Sequence, residues 1–360
     1  MNNKNVLLIN DTSNGYHWGC YGTSTKIKEK IIENGAKNLK CRTVEQTHAT
    51  KSVPENVADF ETVFETFKEK NIDLIEDIEG ADYIIINGEG TIHHFHNGPR
   101  ALLYIMYISK KMFNKKVFVI NHSCFPSTDD KNVLDFYETC YKCCDYVAVR
   151  EGISFDIVKN KLHIDNVILA FDSLPLKIKD IYKNIPEFNN TKKYICLSGA
   201  VNFDYSKIEY IIKYLNIFYK HYDLIFLTGS VKGMCDDNDI KVYQAMLKYN
   251  PNIKLVEAKS LEEWCSVIKS SEFLLSGRYH YTIGAMVLGT KSIQFESNTK
   301  KITAIREMFN LSRAIQYEPK LLFKLKLIYE LITVKFKKRP NLLDKICSFS
   351  NNNYKWSERE

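Results

Sequence analysis

The chain has 360 residues, 45% hydrophobic and 26% charged, an ordinary globular composition at a length that favours about two domains. Its 50 lysines and arginines exceed its 43 acidic residues for a net +7. That modest excess, with no RNA- or DNA-reading motif beside it, argues against nucleic acid as a partner. The apolar runs are strand-length rather than the ~20 residues of a membrane span, and no signal-peptide pattern precedes Val6, so a soluble, cytoplasmic protein is expected.

In chain order, apolar runs at Val6–Ile9, Tyr83–Ile86, Val117–Ile120, Tyr146–Val149 and Val167–Phe171 alternate with helix-length segments. Parallel strands need long crossovers, so this alternation predicts βαβ units. Residues 173–191, with Pro175 and Pro186 among lysines and asparagines, read as a linker between an N-terminal domain (1–172) and a C-terminal one (192–315). The second domain repeats the pattern at Tyr194–Leu197, Leu224–Leu227, Ile253–Val256, Phe273–Leu275 and Ser292–Phe295. The fold class expected is α/β, two Rossmann-like domains with parallel sheets facing across a cleft.

The tail, 316–360, reads as helical and basic. Leu321–Val334 is apolar at helical spacing and carries Lys324 and Lys326, with Lys335, Lys337, Lys338 and Arg339 following. A helix packed on the fold with a solvated basic face explains this. A basic amphipathic surface over 320–339, resting peripherally on the inner face of an anionic membrane, is the sharper reading.

Ten cysteines are scattered through predicted strands and helices and read as buried thiols. Cys140-x-x-Cys143-Cys144 has half of a zinc-site spacing and no second CxxC to complete it. His93-His94-Phe95-His96 invites a metal, but adjacent histidines diverge and no carboxylate pair stands nearby, so acceptor contacts or plain surface are favoured. No metal is expected.

In parallel sheets ligands bind beyond the carboxyl ends of the strands. The segments there include His17-Trp18-Gly19-Cys20, Gly88-Glu89-Gly90-Thr91, Asn121-His122-Ser123, Arg150-Glu151-Gly152, Thr228-Gly229-Ser230 and Ser276-Gly277-Arg278-Tyr279-His280. The last is the strongest. Arg278 can grip a carboxylate or phosphate with two parallel hydrogen bonds, and His280 at a helix start can donate to the same anion or carry a proton. Trp18 offers a ring for a sugar or base, and His122 follows a buried strand as a candidate base.

These segments resemble the polysaccharide pyruvyl transferase family, whose members have GT-B-like folds. The resemblance rests first on Ser276-Gly277-Arg278-Tyr279-His280 with Ala285, Gly289, Ser292-Ile293 and Lys300. It rests also on Val147–Ser154, similar to an arginine–acid–serine step, and on Gly88-Glu89-Gly90, similar to a triple-glycine turn. The chain departs from the family at His17–Cys20, Glu89 and Thr290. The resemblance implies transfer of a pyruvyl group from phosphoenolpyruvate to a sugar or lipid-linked glycan as a ketal, in surface-polysaccharide biosynthesis, without a metal or other cofactor.

In that reading Arg278, His280, Arg150, Ser276, Lys300 and Gly229 bind the donor. His17, Trp18, Gly88, Glu89, Gly90, His93 and His94 face the acceptor, and His122 deprotonates it. Two alternatives stand beside it. One is a metal-independent glycosyltransferase using a nucleotide-activated sugar, such as a CMP-linked acidic one. The other is a non-catalytic sugar- or nucleotide-binding scaffold.

Overall fold

The structure, a computed structural model, describes residues 3–232 and 237–358. The chain divides into two compact units. The first gathers the residues up to Thr12, Ser24–Ser173 and those from Ser348 on; the second gathers Ser13–Thr23 and Leu174–Cys347.

The first unit holds a six-stranded sheet of β1 (Lys4–Asp11), β2 (Ala36–Thr43), β3 (Tyr83–Glu89), β4 (Lys116–His122), β5 (Tyr146–Val149) and β6 (Val167–Leu169). Its order is β2-β1-β3-β4-β5-β6, and every pairing is parallel. A central parallel strand is covered on both faces, which is why Tyr83-Ile84-Ile85-Ile86 is apolar without alternation and buried throughout. The helix Asn97–Lys111 covers this sheet, with Pro99 in its first turn and Lys110 and Lys111 in its last, each at the end it suits.

The second unit holds β7 (Tyr194–Ala200), β8 (Asp223–Thr228), β9 (Lys254–Glu257), β10 (Leu274–Gly277) and β11 (Ser292–Gln294). Its order is β11-β10-β7-β8-β9, again all parallel. Ser260 caps the helix Leu261–Ser270 by accepting from the Glu263 N–H at 3.1 Å, and Trp264 on that helix is fully buried. Among the described residues no helix is long and apolar enough to cross a membrane.

Two segments differ from the sequence reading. Within the expected linker, Leu174–Ile181 is a helix that buries Leu174, Pro175, Leu176 and Ile178. Pro175 lies in its first turn, where a missing N–H costs no helical hydrogen bond. The tail is not one element either. The helix Lys320–Thr333 packs Phe323, Leu327 and Leu331 into the second unit's core, whereas the residues from Ser348 on belong to the first unit. There Trp356 stacks on Phe118 at 5.3 Å, and the Asn353 side chain accepts from the Asn121 N–H at 2.8 Å.

Candidate functional site

In the second unit the site is built on the carboxyl end of β10. Ser276 is fully buried; its hydroxyl meets that of Ser198 at 2.6 Å and accepts from the Arg278 N–H at 3.0 Å, fixing the backbone that presents the arginine. Arg278 is buried, and its Nε and Nη2 donate to Oδ1 of Asp239 at 3.1 and 2.7 Å. A Cβ on Gly199 would lie 2.0 Å from that same oxygen. Glycine at the end of β7 therefore lets the carboxylate sit where it does. Nothing in the sequence pattern marks Asp239, which lies on a helix 39 residues before its partner.

His280 opens the helix Tyr279–Leu288 and is buried. Its Nδ1 lies 3.8 Å from Cys20 Sγ and its Nε2 lies 3.4 Å from Thr23 Oγ1. His17 crosses it edge to face at 5.0 Å, with Nε2 3.6 Å from the same sulfur. Among the described residues, these three form the one group of histidine, cysteine and carboxylate side chains whose ligand atoms converge. Ordinary zinc bonds in a tetrahedron separate sulfur from nitrogen by about 3.6 Å, so the group can hold a soft divalent ion. One contact must then give way. The Gly19 N–H donates to His17 Nδ1 at 3.1 Å, and an ion on Nε2 moves the ring proton to Nδ1. The sequence carries no sign of this group, because Cys20 and His280 stand 260 positions apart, and the adjacent histidines at 93–96, read as acceptor contacts or plain surface, are not part of it.

Gly229 and Lys300 are expected at the donor and Trp18 at the acceptor. Gly229 has φ +133°, and a Cβ there would meet the Ala258 carbonyl oxygen at 2.3 Å, so its requirement is backbone geometry. Lys300 is exposed, while its neighbour Lys301 is buried with its ammonium 5.7 Å from the Tyr279 ring. The helix that follows Lys300 is already capped, since the Glu296 carboxylate accepts from the Ile302 and Thr303 N–H groups at 3.2 Å each. Trp18 is buried rather than offered as a stacking platform. Its indole N–H donates to the Ala258 carbonyl at 2.8 Å, a satisfied core contact.

In the first unit a buried network closes the carboxyl ends of β1, β3 and β4. The Asn10 amide donates to the Asn87 carbonyl at 2.7 Å, and the Asn121 amide donates to Asn87 Oδ1 at 3.0 Å. Asn10, Glu89 and Asn121 all carry positive φ, 68°, 37° and 55°. Non-glycine residues are rarely held there, and strained backbone clusters at functional sites. Glu89 stands where the resembled turn has glycine; its buried carboxylate accepts from the Thr12 hydroxyl. Gly88 backs onto His122, and Gly90 follows half-buried. His93 is half-buried and His94 exposed, with rings 5.1 Å apart.

His122 and Arg150 are spent inside this unit. His122 is fully buried: its Nδ1–H donates to the Ala148 carbonyl at 2.9 Å and its Nε2 accepts from the Tyr141 hydroxyl at 2.8 Å. Burial, with the Arg150 charge nearby, brings its pKa down to about 3. A ring with both nitrogens occupied has no lone pair for an acceptor hydroxyl. Arg150 is likewise paired in the interior, donating to Asp172 at 2.7 Å and Ser123 at 3.0 Å. The adjacent Glu151 caps its helix by accepting from the Ser154 N–H at 2.9 Å. The arginine–acid–serine step is thus a buried structural unit. Every described cysteine is a free thiol, and burial pushes up Cys140, Cys143 and Cys144.

Known structures share this architecture. UDP-GlcNAc 2-epimerase from Neisseria meningitidis, bound to UDP-GlcNAc, superposes with a TM-score of 0.60 at 13% identity, covering 99% of each chain. MnaA of S. aureus, in a UDP co-structure, gives 0.59 at 12% identity over 99% of this chain and 94% of that one. The Methanocaldococcus jannaschii UDP-GlcNAc 2-epimerase gives 0.56 at 13% over 96% and 98%. At such identities the likeness establishes the fold, which is GT-B-like. No curated protein matches the sequence. The sequence pattern of polysaccharide pyruvyl transferases matches residues 7–298, most of the chain and both sheets, and the chain therefore belongs to the polysaccharide pyruvyl transferase family.

Proposed function

We propose that the protein transfers a pyruvyl group from phosphoenolpyruvate to two hydroxyls of a sugar, on a surface polysaccharide or its lipid-linked precursor. One observation carries the reading: a buried guanidinium at the end of β10 already holds a carboxylate, that of Asp239, through Nε and Nη2. The donor's carboxylate or phosphate is the same kind of ligand, and exchange for Asp239 leaves the fork satisfied. His280, two residues on, supports the phosphate by exchanging its long Nε2 contact with the Thr23 hydroxyl for a phosphate oxygen.

The chemistry balances without a further reactant. A proton added to the methylene carbon of phosphoenolpyruvate makes C2 electrophilic, and the first sugar hydroxyl bonds to it. The C2–O bond to phosphate breaks, and the second hydroxyl closes the ketal. Of the two hydroxyl protons, one ends on the new methyl group and one on the departing phosphate. With His122 spent, Glu89, held in place by the Thr12 hydroxyl that donates to it, is the carboxylate that takes a hydroxyl proton in this reading.

The test is phosphate release from phosphoenolpyruvate with and without extracted glycan or lipid-linked acceptors. Acceptor-dependent release, lost in Glu89→Gln and Arg278→Lys, supports the reading. Transfer from a nucleotide sugar with no use of phosphoenolpyruvate replaces it with glycosyl transfer.

A further inference from the structure

The helix Lys320–Thr333 has two apolar faces. Phe323, Leu327 and Leu331, four residues apart, are fully buried in the second unit's core. Leu321, Leu325 and Tyr329 have the same spacing but are 70%, 57% and 65% exposed. An offset of two residues is about 200° around a helix, so this second stripe points away from the core. Exposed Ile332 continues it, and Phe336 just beyond the helix is 82% exposed. So much contiguous apolar surface on one short segment calls for a partner.

The charge around the stripe says which. Between residues 318 and 339 there are seven lysines and arginines against two glutamates. The ammonium groups of Lys324 and Lys335 lie over the Tyr210 and Tyr219 rings at 4.0 and 4.9 Å. A second observation lies where the stripe ends. Lys337 and Lys338 line a cavity of about 260 Å³ together with Lys291, Thr290, Ser292 and the buried Arg306. The Arg306 guanidinium bonds only neutral oxygens, those of Ser292 and Ser312, at 2.5 to 3.0 Å. Among the described residues no carboxylate is within ion-pair distance of it. Lys337 pairs with Glu330 at 2.5 Å and Lys291 stands 3.8 Å from Glu272, so the cation-rich end of the cavity is Arg306 with Lys338. A buried guanidinium bonded to hydroxyls and a carbonyl suits a phosphate group.

We propose that this face docks on an anionic bilayer. The stripe enters the acyl boundary, the lysines meet the headgroups, and the Arg306 cavity takes one lipid phosphate. Such a helix lies in the interfacial plane, its apolar side down and its lysines at headgroup depth. Surface docking would bring the enzyme to a lipid-linked acceptor, but the inference stands whichever donor is used.

The test is co-sedimentation of the full-length protein with vesicles of phosphatidylglycerol and phosphatidylcholine, against phosphatidylcholine alone. The wild type pellets with the anionic vesicles only, and less so as salt rises. L325E/Y329E, at exposed positions that leave thermal unfolding unchanged, stays in the supernatant. K337Q/K338Q partitions about thirtyfold more weakly. A millimolar inorganic phosphate competitor does not release the wild type, because the stripe as well as the cavity is engaged. Absence of binding to anionic vesicles, equal binding of L325E/Y329E, or full release by phosphate overturns the proposal. So does a solution dimer that L325E/Y329E dissociates while vesicles bind neither form. Donor-induced stabilisation, measured without vesicles, persists in L325E/Y329E, which separates this outcome from failure of the pyruvyl-transfer reading.

Discussion

Arg278 and Asp239 form a buried ion pair in which two guanidinium nitrogens share a single carboxylate oxygen. The arrangement depends on the missing side chain of Gly199. A pair of this kind costs desolvation on both sides, and removing one partner strands the other. Asp239→Asn is therefore expected to lower stability by about 3 kcal/mol. Phosphoenolpyruvate should then recover more thermal stability in Asp239→Asn than in the wild type, since the Asp239 carboxylate no longer competes for the guanidinium. Equal recovery in both proteins would show that the donor does not exchange with Asp239.

His122 gives a pH prediction. Its folded pKa, about 3, lies below the ordinary value of 6.5, so the native ring is neutral while the unfolded ring takes up a proton below 6.5. Its contribution is complete above pH 6.5 and drains away as pH falls toward the folded value. Between pH 7 and 5 that amounts to about 2 kcal/mol. Urea unfolding of His122→Gln should show a correspondingly flatter decline over this interval. An unchanged pH slope would place the acid sensitivity elsewhere.

Gly229 tests whether a residue expected to touch the donor has a structural reason instead. Its φ is +133°, and the Ala258 carbonyl oxygen stands 2.3 Å from where a Cβ would be. Gly229→Ala should therefore cost about 3 kcal/mol. Thermal unfolding measures this. A variant as stable as the wild type contradicts the backbone account.

The sulfur–nitrogen distances at His17, Cys20 and His280 predict a response to cobalt(II). Titration should produce a thiolate-to-cobalt charge-transfer absorption that is absent in Cys20→Ser and weakened in His17→Gln. No absorption in the wild type would leave the three side chains as a packed cluster only.

Much of the fold is legible in the sequence because parallel strands announce themselves. The runs at Tyr83–Ile86 and Leu224–Leu227 are buried strands, as their continuous apolar character implies. Leu174–Ile181 is hidden because its proline and lysines look like a linker, although Leu174 and Ile178 carry a helical spacing. At the site, Arg278 and His280 stand out by their position after a strand. Asp239 and the convergence of Cys20 on His280 do not, since contacts across such distances leave no local pattern. His122 and Trp18 mislead for the opposite reason: polar groups on core side chains resemble functional ones until their partners, Tyr141 and the Ala258 carbonyl, are seen.

The most direct measurement is a thermal-shift titration with phosphoenolpyruvate, CMP, UDP and GDP on the wild type and Arg278→Lys. Lysine keeps the charge beside Asp239 but loses the planar fork. Phosphoenolpyruvate should stabilise the wild type, with little effect on Arg278→Lys and no comparable effect from any nucleotide. Stabilisation by a nucleotide alone would contradict the account and make the site that of a glycosyltransferase.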